Sequence, residues 1–442
     1  MPFRERLLEI LRKLQIPSWS TPQIAPEDIV VTKVSGALTN AVFFVSCPSG
    51  PSTQTILLRV YGPSSGSLIS RPRELHTLHI LSSRYNIGPR VYGTFDNGRI
   101  EEYFDSVTLT STDIRDPQIS RWIGARMAEL HSVDVQAIDG DSLSSKYDNS
   151  GMEFVANVKL WLGPAEEVLR LSGISDATRQ ELDLPGFRNE WNRYLAWLLS
   201  RPRTFGTRRV FSHNDAQYGN ILRLKDDSEG LDEHRQVCSF FFGWNATPGC
   251  SNFCLQIIVV DFEYAAPNAA AFDIANHFIE WTADYHCPTP HLLTPSRYPT
   301  VEERRNFYAS YIQYSAMLAE DPRLDDSCLE DMITELDRDV LVLGAASHGG
   351  WAIWSIVQAR EDVEAGITEL EFDYVGYAKV RMAAFRKDLQ SIGLWFIYLH
   401  IRQISLSFLL NVQSFLLLML RLLLVPFFIH KWYRNHNRIE IE

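Results

Sequence analysis

At 442 residues the chain is too long for one small module and fits two or three lobes. Hydrophobic residues at 45% and charged residues at 22% are ordinary globular values, which exclude a wholly disordered chain, a collagen-like repeat and a polytopic membrane protein. With 42 Lys+Arg against 54 Asp+Glu the formal charge is −12, a balance that argues against nucleic-acid binding, because phosphate contact is dominated by clustered basic charge.

The opening MPFRERLLEILRKL is charged and amphipathic and lacks an apolar signal-peptide core. Six cysteines with no C-x-x-C pair do not make a disulfide scaffold, so a reducing, cytoplasmic setting is expected. Residues 29–33, 42–46 and 55–61 are short runs rich in β-branched residues, separated by Gly, Pro and Ser turns, and read as strands. Residues 72–83 read as a helix with Leu75, Leu78 and Leu81 on one face. Residues 91–95 and 99–104 predict a hairpin around Asp96-Asn97-Gly98. After Asp116-Pro117 a helix is expected to about His131, with Ile119, Trp122, Ile123, Met127 and Leu130 at helical spacing. Residues 139–151 form a polar loop, and the rest to residue 388 is mostly helical.

Two stretches break this pattern. Residues 237–260 contain no Asp, Glu, Lys or Arg and hold Cys238, Cys250 and Cys254, whose C-x11-C-x3-C spacing lacks the fourth ligand a zinc site needs. From residue 403 to residue 420 the chain is again uncharged, with Lys431, Arg434 and Arg438 beyond it. That length meets the threshold for a membrane span, while Asn411, Arg421 and Pro426 weaken it.

The chemistry is carried by FSHNDAQYGNIL, residues 211–222. His213-x-Asp215-x4-Asn220 has the spacing of a phosphotransferase catalytic loop. In-line transfer needs a carboxylate to accept the hydroxyl proton and a neutral oxygen to steady Mg2+, roles that suit Asp215 and Asn220, with His213 bracing the backbone. Further on, IIVVDFEYA is a buried-looking strand ending in Asp261, a position for a second Mg2+ ligand. The two motifs in this order are far more specific than either alone. Ser35, Gly36, Ala37, Leu38, Thr39 and Asn40 join two strands where a nucleotide loop belongs. Arg59 on the third strand can reach nucleotide phosphates, and Glu74 on the next helix can pair with it.

These motifs, with ILLRVYGP, RIEEYF, VVDFEYAAPNAAAFDIANHFIEW and SHGGWAIWSIVQA, make residues 30–390 resemble the eukaryotic choline/ethanolamine kinase family, and the fungal choline kinases most. The D-F-E triplet and the missing A-P-E separate it from protein kinases. The resemblance implies an α+β, protein-kinase-like two-lobe fold, with an antiparallel-sheet N-lobe and a mainly helical C-lobe. It implies ATP and Mg2+ as cofactors, Glu101, Glu102 and Tyr103 as the hinge, and choline as the acceptor, phosphorylated for phosphatidylcholine synthesis. Ethanolamine, or both alcohols, is the alternative within the class. A quaternary ammonium is best held by aromatic faces and nearby carboxylates. Trp351 and Trp354 lie on one helical face, and Tyr264, Glu263, Glu280 and Tyr377 match pocket positions, with Gln217 beside the base. Ala271 and Gly349-Gly350 depart from the family, the latter pair standing where bulkier residues are frequent.

The implied organisation is a helical segment over 1–28, an N-lobe over 29–105 and a C-lobe over 106–393. Residues 237–256 read as a retained intron: removing them restores the join between EHRQ and IIVVDFEYA. Residues 394–442 are either a gene-model extension or a membrane anchor, and membrane contact depends on that tail. A homodimer is compatible with the resemblance. A reading of another class is an inactive, membrane-tethered scaffold, which would require a degraded motif.

Overall fold

The computed structural model describes residues 3–16, 18–21, 23–34, 40–48, 53–62, 70–139, 151–225, 257–320 and 325–394. The expectations for 35–39, for all but the ends of the polar loop 139–151, for 237–256 and for 395–442 lie outside them.

The chain opens with helix α1 (Phe3–Lys13), whose Leu7, Leu8 and Leu11 are buried. Three strands follow, β1 (Val30–Val34), β2 (Asn40–Ser46) and β3 (Ile56–Tyr61), then α2 (Arg71–Arg84), β4 (Val91–Phe95) and β5 (Gly98–Glu102). These strands make one antiparallel sheet in the order β1-β2-β3-β5-β4. The β-branched runs predicted the first three strands, and apolar residues of the sheet face α1: Val45, Ile56, Leu58 and Ile100 share a core with its leucines and Trp19.

The chain then crosses into the second lobe through β6 (Ser106–Thr108) and α3 (Pro117–His131). Asp116 caps α3 by accepting from the backbone N–H groups of Gln118 and Ile119, with Pro117 at the first helical position. Next come α4 (Val135–Asp139), α5 (Glu153–Arg170), α6 (Asp176–Leu182) and α7 (Leu184–Leu199). Short strands β7 (Arg209–Ser212), β8 (Ile221–Leu224), β9 (Ile257–Val259) and β10 (Ala266–Ala269) carry the motif residues between them. The lobe closes with α8 (Ala270–Glu280), α9 (Val301–Leu318), α10 (Asp326–Gln358), α11 (Arg360–Ala365) and α12 (Tyr374–Ser391). Strands β6, β8 and β9 form one small antiparallel sheet and β7 with β10 another, so both motif loops leave strand ends and are held from two sides.

The stretch Asp326–Ala365 is long and apolar enough to cross a membrane, but 78% of its apolar window is buried within the protein. It is a core helix, packed on α5, α8 and α12.

The strands flanking the uncharged stretch are direct neighbours: Arg223 of β8 faces Ile257 of β9 in an antiparallel pair. Residues 225–236 alone could therefore close this hairpin, and loop closure entropy changes only slowly with length. A chain lacking residues 237–256 is expected to fold and keep its turnover within about threefold. Loss of the folded state on deletion, followed by circular dichroism, would show that the segment is structurally required.

Candidate active site

Strand β7 ends at Ser212, and the chain turns sharply at Asn214, whose φ of 66° is left-handed. Asn tolerates that conformation better than most residues, and here its side chain is fully engaged. Its Nδ2 donates to the carbonyls of Tyr264 and Ala266 at 2.8 and 3.2 Å, and its Oδ1 accepts from Asn268 at 2.6 Å. His213 donates from Nε2 to the Val260 carbonyl at 3.0 Å, which leaves Nδ1 to accept the backbone N–H of Asp215 at 3.2 Å. Burial holds this imidazole below its ordinary pKa, so it braces the loop as the neutral ring.

Asp215 emerges from this frame half-buried. Asn220, at the end of a short 3-10 turn, donates from Nδ2 to both the carbonyl and the Oδ2 of Asp215, each at 2.9 Å. Burial, then the charges of Glu280, Asp261 and Glu263, push the Asp215 carboxyl well above its usual range, against the smaller opposing effect of Asn220. A half-buried carboxylate with raised proton affinity is suited to accept a proton. Gln217 caps the turn, accepting the Gly219 N–H at 2.7 Å.

Asp261 sits just beyond β9 with φ 69°, a second left-handed residue at the same site. Its Oδ2 accepts from Arg59 at 3.2 Å, while its Oδ1 is buried with no partner. Oxygens of Glu74, Asp261 and Glu263 lie within 4.8 Å of one another. The amide nitrogen of Asn220 faces Asp215, so its oxygen remains for a metal. An orphaned carboxylate oxygen beside further acidic oxygens and an amide oxygen is the donor set of a hard divalent cation, and these residues fit Mg2+.

The pairing of basic and acidic groups differs from the sequence expectation. Arg59 pairs with Asp261 and, at 3.6 Å, with Glu101, rather than with Glu74. Glu74 pairs instead with Arg71 at 2.6 Å and Arg99 at 2.7 Å. The register of β3 on β5 sets Arg59 opposite Arg99, and Arg99 reaches α2. Glu101 is buried and bonded to Arg99, and Glu102 accepts the Arg90 N–H at 3.1 Å, so both carboxylates of the expected hinge have partners. Tyr103 packs edge-on against Phe44. Asn40 donates to Glu263 at 3.3 Å and accepts from Arg71 at 3.1 Å. Glu263 thus sits with Asn40 and Arg71, and burial followed by the charge of Asp261 pushes its pKa up to about 7.

The aromatic residues assemble from three elements. Trp351 and Trp354 of α10 meet at 5.0 Å between ring centroids, and Tyr264 lies 5.5 Å from Trp351. Both tryptophans are pinned: Trp354 donates to the Tyr264 hydroxyl at 3.0 Å and Trp351 to Asn276 at 2.8 Å. Tyr374 extends the set at 5.8 Å from Trp354, and Phe372 links it to Tyr377. Glu280 accepts from Arg381 at 2.6 Å and from Tyr285 at 2.5 Å, and Arg381 also donates to Tyr377. Ala271 is fully buried at the start of α8, its N–H on the Gly206 carbonyl at 2.8 Å.

A family profile described as choline/ethanolamine kinase matches residues 31–386. The chain belongs to the choline/ethanolamine kinase family. Among relatives of this family, the choline kinase of Schizosaccharomyces pombe is 33% identical over 89% of this chain and 90% of its own length. The choline/ethanolamine kinase of Homo sapiens is 30% identical over 81% of this chain and 80% of its own. The fold matches a solved choline kinase from Cryptosporidium parvum with a TM-score of 0.63 at 24% identity, covering 88% of this chain and 97% of that one. An ethanolamine kinase from Plasmodium vivax gives 0.62 at 21% identity, over 87% and 94%. The two-lobe, protein-kinase-like architecture of the family is therefore present.

Sequence reasoning missed several members of these clusters. Asp273 accepts the backbone N–H groups of His213 and Asn214 at 2.8 and 2.7 Å and so grips the catalytic loop. Arg71, Arg99, Tyr285, Tyr374 and Arg381 complete the ion pairs and the ring cluster. The Tyr374-x-x-Tyr377-x3-Arg381 spacing on α12 was the available signal, since it sets all three on one helix face.

Proposed function

We propose that this chain transfers the γ-phosphoryl group of ATP to the hydroxyl of choline, with Mg2+, and that it works in the cytoplasm, where ATP is plentiful. Mg2+ when bound neutralises charge on the phosphates. Asp261 and the Asn220 oxygen are its ligands in this reading, with Glu74 and Glu263 nearby. Arg59 orients the phosphates from beside Asp261. Asp215 takes the hydroxyl proton as the phosphoryl group departs from ATP. His213 and Asp273 hold Asp215 in place and take no part in the transfer. Intact Asp215, Asn220 and Asp261 weigh against an inactive tethered scaffold, and phosphocholine formation by the full-length chain would dismiss it.

One observation carries the choice of choline. Beside the ring cluster, both Glu280 oxygens already accept hydrogen bonds, from Arg381 and Tyr285. An ethanolamine ammonium needs hydrogen-bond acceptors, whereas a trimethylammonium needs aromatic faces and a diffuse negative field. Tyr264, Trp351 and Trp354 supply the faces, and Glu280 supplies the field. The expected result is a kcat/KM for choline about tenfold above that for ethanolamine. Trp354→Leu should raise the KM for choline by about tenfold and leave the KM for ATP unchanged, since a desolvated cation–π contact is worth up to about 2 kcal/mol. A preference for ethanolamine would overturn the substrate assignment without touching the kinase chemistry.

A further inference from the structure

Asn276 stands near the middle of α8, in which every residue from Ala270 to Glu280 is buried, and it has no exposed surface itself. An asparagine there is unfavourable on two counts: its helix propensity is poor, and a buried amide costs free energy unless it is hydrogen-bonded. Both ends of this amide are bonded. Nδ2 donates to the Asn214 carbonyl at 3.1 Å, and Oδ1 accepts from the Ser347 hydroxyl at 2.7 Å and the Trp351 indole N–H at 2.8 Å. We propose that Asn276 is a positioning residue for the phosphoryl transfer: it fixes the Trp351 ring relative to the loop that carries Asp215, and so sets where the acceptor hydroxyl lies against the base. The proposal rests on the phosphotransfer reading above.

The chemistry of the partners selects this side chain. A carbonyl oxygen can only accept and an indole N–H can only donate, so the residue between them must offer a donor at one end and an acceptor at the other. An amide does both, and the same two partners fix which way round it sits. An ionised Asp would set an oxygen against the Asn214 carbonyl. Leu, of similar volume, would leave the carbonyl and the indole unpaired in the core.

Helix geometry accounts for the placement. Asp273, Asn276 and His277 are three and four apart on α8 and so share a face. Asp273 accepts the N–H groups of His213 and Asn214, Asn276 holds the Asn214 carbonyl, and His277 donates from Nδ1 to the Ala216 carbonyl at 2.7 Å. The residues on both sides of Asp215 are therefore tied to α8. On α10, Ser347 and Trp351 are four apart, and both donate to the one Asn276 oxygen. Asn276 thus reaches from the loop that carries the base to a ring of the aromatic cluster. A misplacement of about 1 Å between reacting groups can cost on the order of 100-fold in rate, so this link bears on turnover more than on affinity.

The test severs the two ends of the link separately. Asn276→Asp keeps the acceptor for Ser347 and Trp351 but loses the donor to Asn214. Trp351→Phe keeps a ring and loses the indole N–H. Each is expected to lower kcat by about 10- to 100-fold, with the KM for the acceptor within about threefold and the KM for ATP unchanged. Because the two bonds act in series, the double variant should be no slower than the slower single one. A residue that merely joined two helices would lower the thermal midpoint without this kinetic coupling. The assays use whichever of choline and ethanolamine the native chain phosphorylates faster, so the choice of acceptor does not decide the outcome. If Asn276→Asp does not fold, Asn276→Leu takes its place, and adding Trp351→Phe to it should again cost nothing further. Losses that multiply in the double variant, or near-native kcat in either single variant, would overturn the proposal and leave the kinase reading standing. A native chain that phosphorylates neither alcohol would overturn both.

Discussion

Asp215→Asn is expected to lower kcat by about 10²–10⁴-fold, the contribution of a positioned general base, while the KM for choline changes by less than about threefold. The replacement keeps the volume and still offers Asn220 an acceptor in place of the 2.9 Å bond, so the loop should remain in place. It removes only the ability to take a proton. The pH profile gives an independent check. Burial, then Glu280, Asp261 and Glu263, raise the Asp215 pKa, so the base form is lost as pH falls through a value above the ordinary aspartate pKa of about 3.9. The kcat/KM of the native enzyme, which reports the free enzyme, should show an acid limb there, and the Asn variant should lack it. Near-normal turnover of the variant would remove the base assignment.

Asp273→Asn should be nearly as damaging by a different route. Asp273 is fully buried and accepts from the His213 N–H, the Asn214 N–H and, at 3.0 Å, His131 Nε2. His131 in turn accepts the Tyr311 hydroxyl at 2.8 Å, and Arg208 donates to Tyr311 at 2.9 Å. Burial by itself would raise the Asp273 pKa, but the His131 hydrogen bond and charge together with the His213 contacts hold it below the usual carboxylate value. An asparagine there must turn its NH2 towards one of three donors, leaving buried donors face to face. Breaking a buried, hydrogen-bonded charge typically costs about 3–5 kcal/mol. We expect a lower thermal midpoint and a kcat reduced by about 10- to 100-fold, because Asp215 hangs from the two residues Asp273 grips. The sign of the pH effect follows from the depressed pKa. The stability Asp273 contributes is present above about pH 4 and is lost as pH falls through its lower folded value. The gap in midpoint between native chain and variant should therefore be widest near neutrality and shrink in acid. A variant with native midpoint and turnover would show that the loop holds without the carboxylate.

Much of this was legible in the residues because the signals are local. The five-residue step from Asp215 to Asn220 is closed by one turn, so the bond between them follows from spacing. The helix beginning at Pro117 was readable for the same reason, since Asp116 caps it within three residues. Trp351 and Trp354 meet because three residues of helix bring them to one face. The order Asp215, Asn220, Asp261 sufficed to name the reaction class.

Partners separated by tens to hundreds of residues were another matter. Strand 55–61 was evident from its β-branched residues, yet nothing local says that Arg59 faces Arg99 across β3 and β5. With that register Arg99 meets Glu74 and Arg59 meets Asp261, whereas Arg71 meets Glu74 locally, within one turn of α2. Glu263 and Tyr264 are adjacent in the chain but occupy different clusters, the first with Asn40 and Arg71 and the second with the tryptophans, because consecutive residues of a tight turn point different ways. The sequence by itself determined the reaction class, the order of the motif residues and the aromatic residues of the ring cluster. The tertiary structure decided which buried charges neutralise one another and which carboxylate holds the loop that carries Asp215. Motif spacing acts through neighbouring bonds, whereas burial and charge pairing depend on which distant strands and helices come to lie side by side.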